Sequence, residues 1–160
     1  MNEITQKLNI SHYQLNEFQT LIEILFQCCQ DRQQFLSDRF KLPDAHLRCL
    51  LLFEEHKYLT AKNISKKMNI VKSRAAKIIS GLLKTQFVKR IIDPEDSRSM
   101  LIRLTPEGIN KVKSIRRFQM ELHRIVLSHV DDEERKKLLN ALALLKGCME
   151  TGKEFMTRQK

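Results

Sequence analysis

The most constraining feature of this chain lies between Leu59 and Leu104. Two short basic helical patterns, Ala61 to Met68 and Lys72 to Thr85, are separated by only three residues. Ile64 and Met68 repeat on one side of the first. Ala75, Ile78, Ile79, Leu82 and Leu83 repeat on one side of the second, leaving cations on the other. Two strand patterns follow, Val88 to Ile92 (VKRII) and Met100 to Leu104 (MLIRL), around an Asp93-Pro94 turn that continues to Arg98. Helix, tight turn, helix and β-ribbon within fewer than fifty residues leave room for few folds.

Charge is concentrated in the same stretch. Residues 1–56 are net −3, residues 104–160 net +4, and residues 57–103 carry twelve Lys/Arg against Asp93, Glu95 and Asp96, net +9. Clustering of that kind is an electrostatic footprint for a polyanion. A basic membrane-surface helix is the rival, but it would show one amphipathic face rather than alternating helix and strand.

The flanks read as helices. Ser11 with Gln14 makes a capping box, and Ile10 with Leu15 is spaced for a hydrophobic staple. Leu15, Phe18, Ile22, Leu25, Cys29, Arg32 and Leu36 then recur at spacings of three and four. Leu21, Phe26, Cys28 and Phe35 widen that apolar surface beyond what one chain of this size covers, so a partner helix is expected. Leu42-Pro43-Asp44 breaks this helix and starts another, carried by Leu47, Leu50, Leu51 and Phe53 to about His56. Leu59 forms a minimal strand and Thr60 caps the first basic helix, which stops at Asn69. Thr105-Pro106-Glu107 starts a helix reaching about His129. Asp131 with Glu134 starts the last helix, whose expected buried face is Leu138, Leu142, Leu145, Met149 and Phe155 or Met156. The expected order is ααβααββαα, mainly α with a small β-wing. Four Gly and three Pro in 160 residues agree with one mostly helical domain.

A helix in a DNA major groove needs small or polar residues at its leading end and long cations along its flank. Ser73 can donate to a phosphate or base edge, Arg74 can reach O6 and N7 of a guanine, and Lys77 stands one turn on. Lys72 lies at the same leading end. Lys62, Lys66, Lys84 and Lys89 are better placed for the phosphate backbone, which sets register without reading sequence. Asp96 and Arg98 are two apart in the turn, so both can project from one side of the ribbon. There the Asp would hold the guanidinium extended toward a minor groove. Taken singly, each of these residues also reads as an ordinary solvated charge, and the Asp–Arg pair as a surface ion pair contributing at most about 1 kcal/mol. The clustering is what argues otherwise.

The run MNIVKSRAAKIISGLLKTQFVKRIIDPEDSRSMLIRLTPEG resembles the core of the multiple antibiotic resistance regulator (MarR) family. The matching features are Lys72-Ser73, Lys77, Leu82, Phe87-Val88, Arg90, Asp93-Pro94, Asp96, Arg98 and Leu104-Thr105…Gly108. Leu42, Leu50, the flanking helices and the length extend the likeness across most of the chain. The resemblance implies a winged helix-turn-helix transcription factor, with residues 42–104 as the DNA-binding lobe and 1–41 and 105–160 as dimerisation helices. It further implies a homodimer on a pseudo-palindromic operator in double-stranded DNA, usually as a repressor. Lys72–Lys84 would lie in the major groove and Arg98 in the minor groove. Where the family has an effector pocket for a small molecule, it lies between the dimerisation helices and the lobe.

Four positions depart from the family pattern or from helix preference. Val71 stands where a polar cap is frequent, so that helix start is weakly capped unless Ser73 compensates. Gln86 replaces the usual Gly after the helix. Either it adopts a left-handed conformation at a cost of roughly 1 kcal/mol or more, or the helix ends differently. Ser97 replaces a frequent second Arg in the wing. Gly81, inside the helix, costs about 1 kcal/mol relative to Ala and either permits a close helix approach or is simply tolerated.

Other chemistry is weakly signalled. Cys28 and Cys29 point roughly 100° apart on a helix, and no local motif activates either thiol. Oxidant-sensing relatives place their Cys near the position of Tyr13. Core cysteines are therefore the preferred reading, with a thiol-based redox sensor of the same fold, or a winged-helix protein-interaction module, as alternatives. The five His form no HxxxH and the Cys no CxxC, so no metal or cofactor is expected. No phosphate loop or nucleophile motif suggests an enzyme. With no apolar run of membrane-span length and no signal-peptide pattern, a cytoplasmic protein with reduced cysteines is expected.

Overall fold

The computed structural model describes residues 10–94 and 100–158. They form two compact units, one ending at Ile115 and the other starting at Arg116. In the first unit, α1 (His12–Phe40) begins with the expected capping box, in which Gln14 N–H donates to Ser11 Oγ and the Gln14 side chain accepts from Ser11 N–H. It ends at Lys41, left-handed at φ 52°, and Ser37 Oγ donates to Leu42 O at 2.6 Å to close the turn. Of this 29-residue helix only Leu36 and Phe40 are buried. Leu15, Phe18, Leu21, Leu25, Phe26 and Phe35 remain exposed.

Helix α2 (Asp44–Leu51) starts after Pro43 and tightens into a 3₁₀ turn over Leu52–Glu54, short of the expected end near His56. The tighter winding brings residues three apart into line, which lets Leu50 and Phe53 both point inward, at 0% and 6% exposure. Leu59 makes the expected minimal strand as an isolated bridge to Ile102, with both N–H···O bonds formed. Thr60 Oγ1 accepts from Asn63 N–H and caps α3 (Ala61–Met68), and α4 (Lys72–Lys84) follows. Strands β1 (Val88–Ile92) and β2 (Met100–Leu104) pair antiparallel, Val88 with Leu104 and Ile92 with Met100. The core of this unit gathers one side chain or more from every element, including Leu50, Ile64, Leu82, Ile102 and Ile115. Helix α5 (Pro106–Ser128) runs from the first unit into the second.

In the second unit, Asp131 and Glu134 exchange capping bonds at the start of α6 (Asp132–Arg158). Arg135 Nε donates to Leu127 O at 2.9 Å and ties that start to the end of α5. The expected buried face of α6 is not buried in the single chain. Leu138, Leu142 and Met149 are 39%, 47% and 51% exposed, and no described residue of the helix is buried. One chain has nothing of sufficient area to lay against it, as with α1.

Where α4 leaves for β1, Gln86 resolves the choice left open by its side chain. It takes the left-handed conformation at φ 59°. Gln86 N–H donates to Leu83 O and Phe87 N–H to Leu82 O, the paired bonds of a Schellman ending. The long-range partner is the start of α5. Thr105 Oγ1 donates to Gln86 O at 2.6 Å and accepts from Gly108 N–H at 3.0 Å, while Thr105 N–H donates to Phe87 O at 3.0 Å. A Cβ on Gly108 would lie 1.9 Å from Phe87 O, so only glycine lets the two backbones meet. Gly108→Ala is expected to cost about 2–3 kcal/mol, read as a lower urea midpoint. An unchanged midpoint would show that this contact is not tight.

Candidate nucleic-acid interface

The turn between α3 and α4 spans Asn69, Ile70 and Val71. Asn69 tolerates its left-handed conformation (φ 53°) better than most residue types do. Ile70 N–H donates to Ser65 O at 3.0 Å, and Ser65 Oγ returns a bond to Ile70 O at 2.6 Å. The sharp turn brings the N-terminus of α4 beside the C-terminal half of α3. Lys62 in the first turn of α3 and Lys66 in its second rim an open hollow of about 450 Å³ with Asn69, Ile70 and Val71.

Helix α4 is two-faced. Ala75, Ile78, Ile79 and Leu82 are buried, whereas Lys72, Ser73, Arg74, Lys77 and Lys84 are exposed. Ser73 and Lys77 sit one turn apart, and Lys84 two turns further on, along one stripe. The same stripe includes Ala76 and Ser80, both exposed, which the reading for charge passes over. Their small side chains leave space between the cations, and the three-and-four spacing from Ser73 would have found them. Lys62 and Lys66 are exposed on α3, and Lys89 on β1, opposite Arg103. Among the described residues, none of these seven cations is ion-paired. Asp96, Ser97 and Arg98 lie outside the described residues.

Two features hold α4. Gly81 is the close approach: a Cβ there would fall 2.2 Å from His46 Nε2, so glycine is what seats the imidazole of α2 against this helix. Burial holds His46 below its ordinary pKa of 6.5, and among the described residues its Nδ1 has no hydrogen-bond partner, both of which favour the neutral ring. At the other end Val71 is the N-cap residue, with φ −68° and ψ 152° but no side-chain bond, and Ser73 makes no compensating cap. Arg74 N–H and Ala75 N–H both donate to Val71 O at 3.1 Å, which leaves the Lys72 and Ser73 N–H groups without a helix acceptor at the positive end of the dipole, a local preference for an anion.

No other chemistry gathers here. Cys49 is buried and burial pushes its thiol up to about 12, whereas Cys28, Cys29 and Cys148 are exposed. The core reading of Cys28 and Cys29 does not hold in the single chain, where both are exposed. Among the described residues no three His, Cys, Asp or Glu cluster as metal ligands, and no helix is long and apolar enough to cross a membrane.

The backbone of Val71 is already that of a capping residue, so Val71→Ser is expected to raise stability by about 1 kcal/mol. Thermal or urea denaturation measures it, and no gain would mean those N–H groups are already satisfied.

Residues 42–100 match the model of the MarR family. Over 134 residues the chain is 26% identical to YdgJ of Bacillus subtilis (strain 168), an uncharacterized HTH-type transcriptional regulator, covering 84% of this chain and 76% of that one. Among solved structures, a MarR family protein from Bacillus stearothermophilus superposes with a TM-score of 0.78 at 18% identity, covering 88% and 99% of the two chains. The MepR–DNA complex of Staphylococcus aureus gives 0.66 at 18% identity, covering 82% and 98%. These structures share the winged-helix fold described above, and the matched segment holds α2, the helix-turn-helix and the first strand. Over residues 42–100 the chain is similar to the MarR family, and its fold is the winged helix of the solved proteins of that family.

Proposed function

We propose that this chain is a sequence-specific regulator that binds double-stranded DNA as a homodimer and represses transcription. The observation that carries the reading is the outward face of α4. An uncapped N-terminus, Ser73, Arg74 and Lys77 share one exposed surface, opposite a fully apolar buried one. In this reading Arg74 and Lys77 meet base edges, Ser73 a base edge or phosphate, and the α4 N-terminus a phosphate. Lys62, Lys66, Lys72, Lys84 and Lys89 hold the backbone. Arg98, paired with Asp96, enters the flanking minor groove. That a structural neighbour was solved as a MepR–DNA complex supports DNA as the bound molecule.

Homodimerisation through residues 1–41 and 105–160 accounts for the apolar exposure of α1 and α6. Patches of that extent rarely stay in water on a monomer. A two-fold axis then places two α4 helices about one DNA turn apart and requires a pseudo-palindromic operator. Release by a small-molecule effector belongs to the same reading, and ligand-induced loss of bound DNA would reveal it.

Arg74→Ala is expected to cost about 1–3 kcal/mol on the specific duplex and to relax base preference, while Lys66→Ala weakens specific and scrambled duplexes alike. Competition binding separates them, and equal losses on both duplexes for Arg74→Ala would remove its reading role. Arg98→Ala is expected to lose most affinity on operators with A/T-rich flanks. Titration against A/T- and G/C-flanked duplexes checks this, and an unchanged affinity on the A/T set would take the wing out of the interface.

A further inference from the structure

Lys111 stands apart from the cations of α4. It lies in the second turn of α5, half-buried, on the face that also carries Gly108, Val112 and Ile115. Its ammonium sits 5.2 Å from the centroid of the Phe87 ring and 5.9 Å from that of Phe40. Both are within the range over which a ring face attracts a cation. The rings come from distant parts of the chain. Phe40 is the last residue of α1 and is buried, and Phe87 is the first residue past the left-handed turn that ends α4. Among the described residues no carboxylate pairs with Lys111, so the two rings are its partners.

Phe87 is already held by its backbone. Its N–H donates to Leu82 O, and its carbonyl accepts from Thr105 N–H and lies against Gly108. The Lys111 contact adds a hold on the ring, and through Phe40 it reaches the end of the long helix. We propose that Lys111 is a positioning residue for DNA recognition. By sharing its charge between Phe40 and Phe87, it sets the direction of α4 at its C-terminal end according to where α1 ends. Lys111 itself touches no DNA. The proposal rests on the reading of α4 as the recognition helix, and it assigns the route by which a shift of the dimerisation helix reaches that helix.

Three variants of the full chain test it. Lys111→Met keeps the aliphatic stem and drops the charge. Lys111→Arg keeps a cation able to lie on both rings. Lys113→Met removes one positive charge from the exposed side of the same helix. In the free protein, Lys111→Met should speed amide exchange at Gln86 and Phe87 by about tenfold, the worth of two such contacts. Asn69 and Ile70, which close the equivalent turn after α3, should be unchanged. On a duplex selected from random-sequence DNA by the wild-type protein, the ratio of its affinity to that of a scrambled duplex should fall about tenfold for Lys111→Met. The ratio should return to within about twofold with Lys111→Arg and stay constant in Lys113→Met, which weakens both duplexes alike. Equal acceleration at both turns, no acceleration at either, or the same loss of ratio in Lys113→Met would overturn the proposal. If the wild-type protein binds every duplex alike, the DNA reading fails, and the exchange data alone still decide whether Lys111 positions the exit of α4.

Discussion

The meeting of Thr105 and Gly108 with the backbone of Gln86 and Phe87 is the contact on which the arrangement of the lobe depends. One hydroxyl satisfies a carbonyl freed by the end of α4 and an N–H freed by the start of α5. One missing side chain lets the two backbones close. The direction of α4, the departure of β1 and the entry of α5 are thereby set at a single point. The other side of α4 is set by a second missing side chain, Gly81, against His46. A helix that must present an exposed polar face cannot be fixed by burial all round. Here it is fixed by two glycines and a threonine at its buried edges.

Helix starts were legible in the sequence because capping is local. Ser11, Thr60, Thr105 and Asp131 each bond within three residues, and each begins a helix where the pattern places it. Helix ends were less legible. Gln86 is a poor left-handed residue in isolation, and what stabilises it there is a hydroxyl nineteen positions away. The end of α2 was placed too far along for a similar reason, since the apolar spacing cannot show that Leu50 and Phe53 align through a 3₁₀ turn.

The basic face of α4 is visible from spacing and charge, and Lys72, Arg74, Lys77 and Lys84 are exposed on it. Ala76 and Ser80 share that face without a charge to mark them, and only their spacing from Ser73 places them on it. Lys111 is less legible still. Its partners lie 71 and 24 positions earlier in the chain, and no local pattern marks a lysine that meets rings rather than water.

The unfilled cap at Val71 has a consequence for how the chain can change. A hydroxyl at that position and a phosphate from outside would compete for the same N–H groups, so thermal stability and affinity oppose each other there. A residue that keeps the helix start vacant, such as valine, leaves the last capping acceptor to come from the bound molecule. In the proposed DNA complex the helix would then be most completely formed when occupied, so that binding would tighten the element proposed to do the binding.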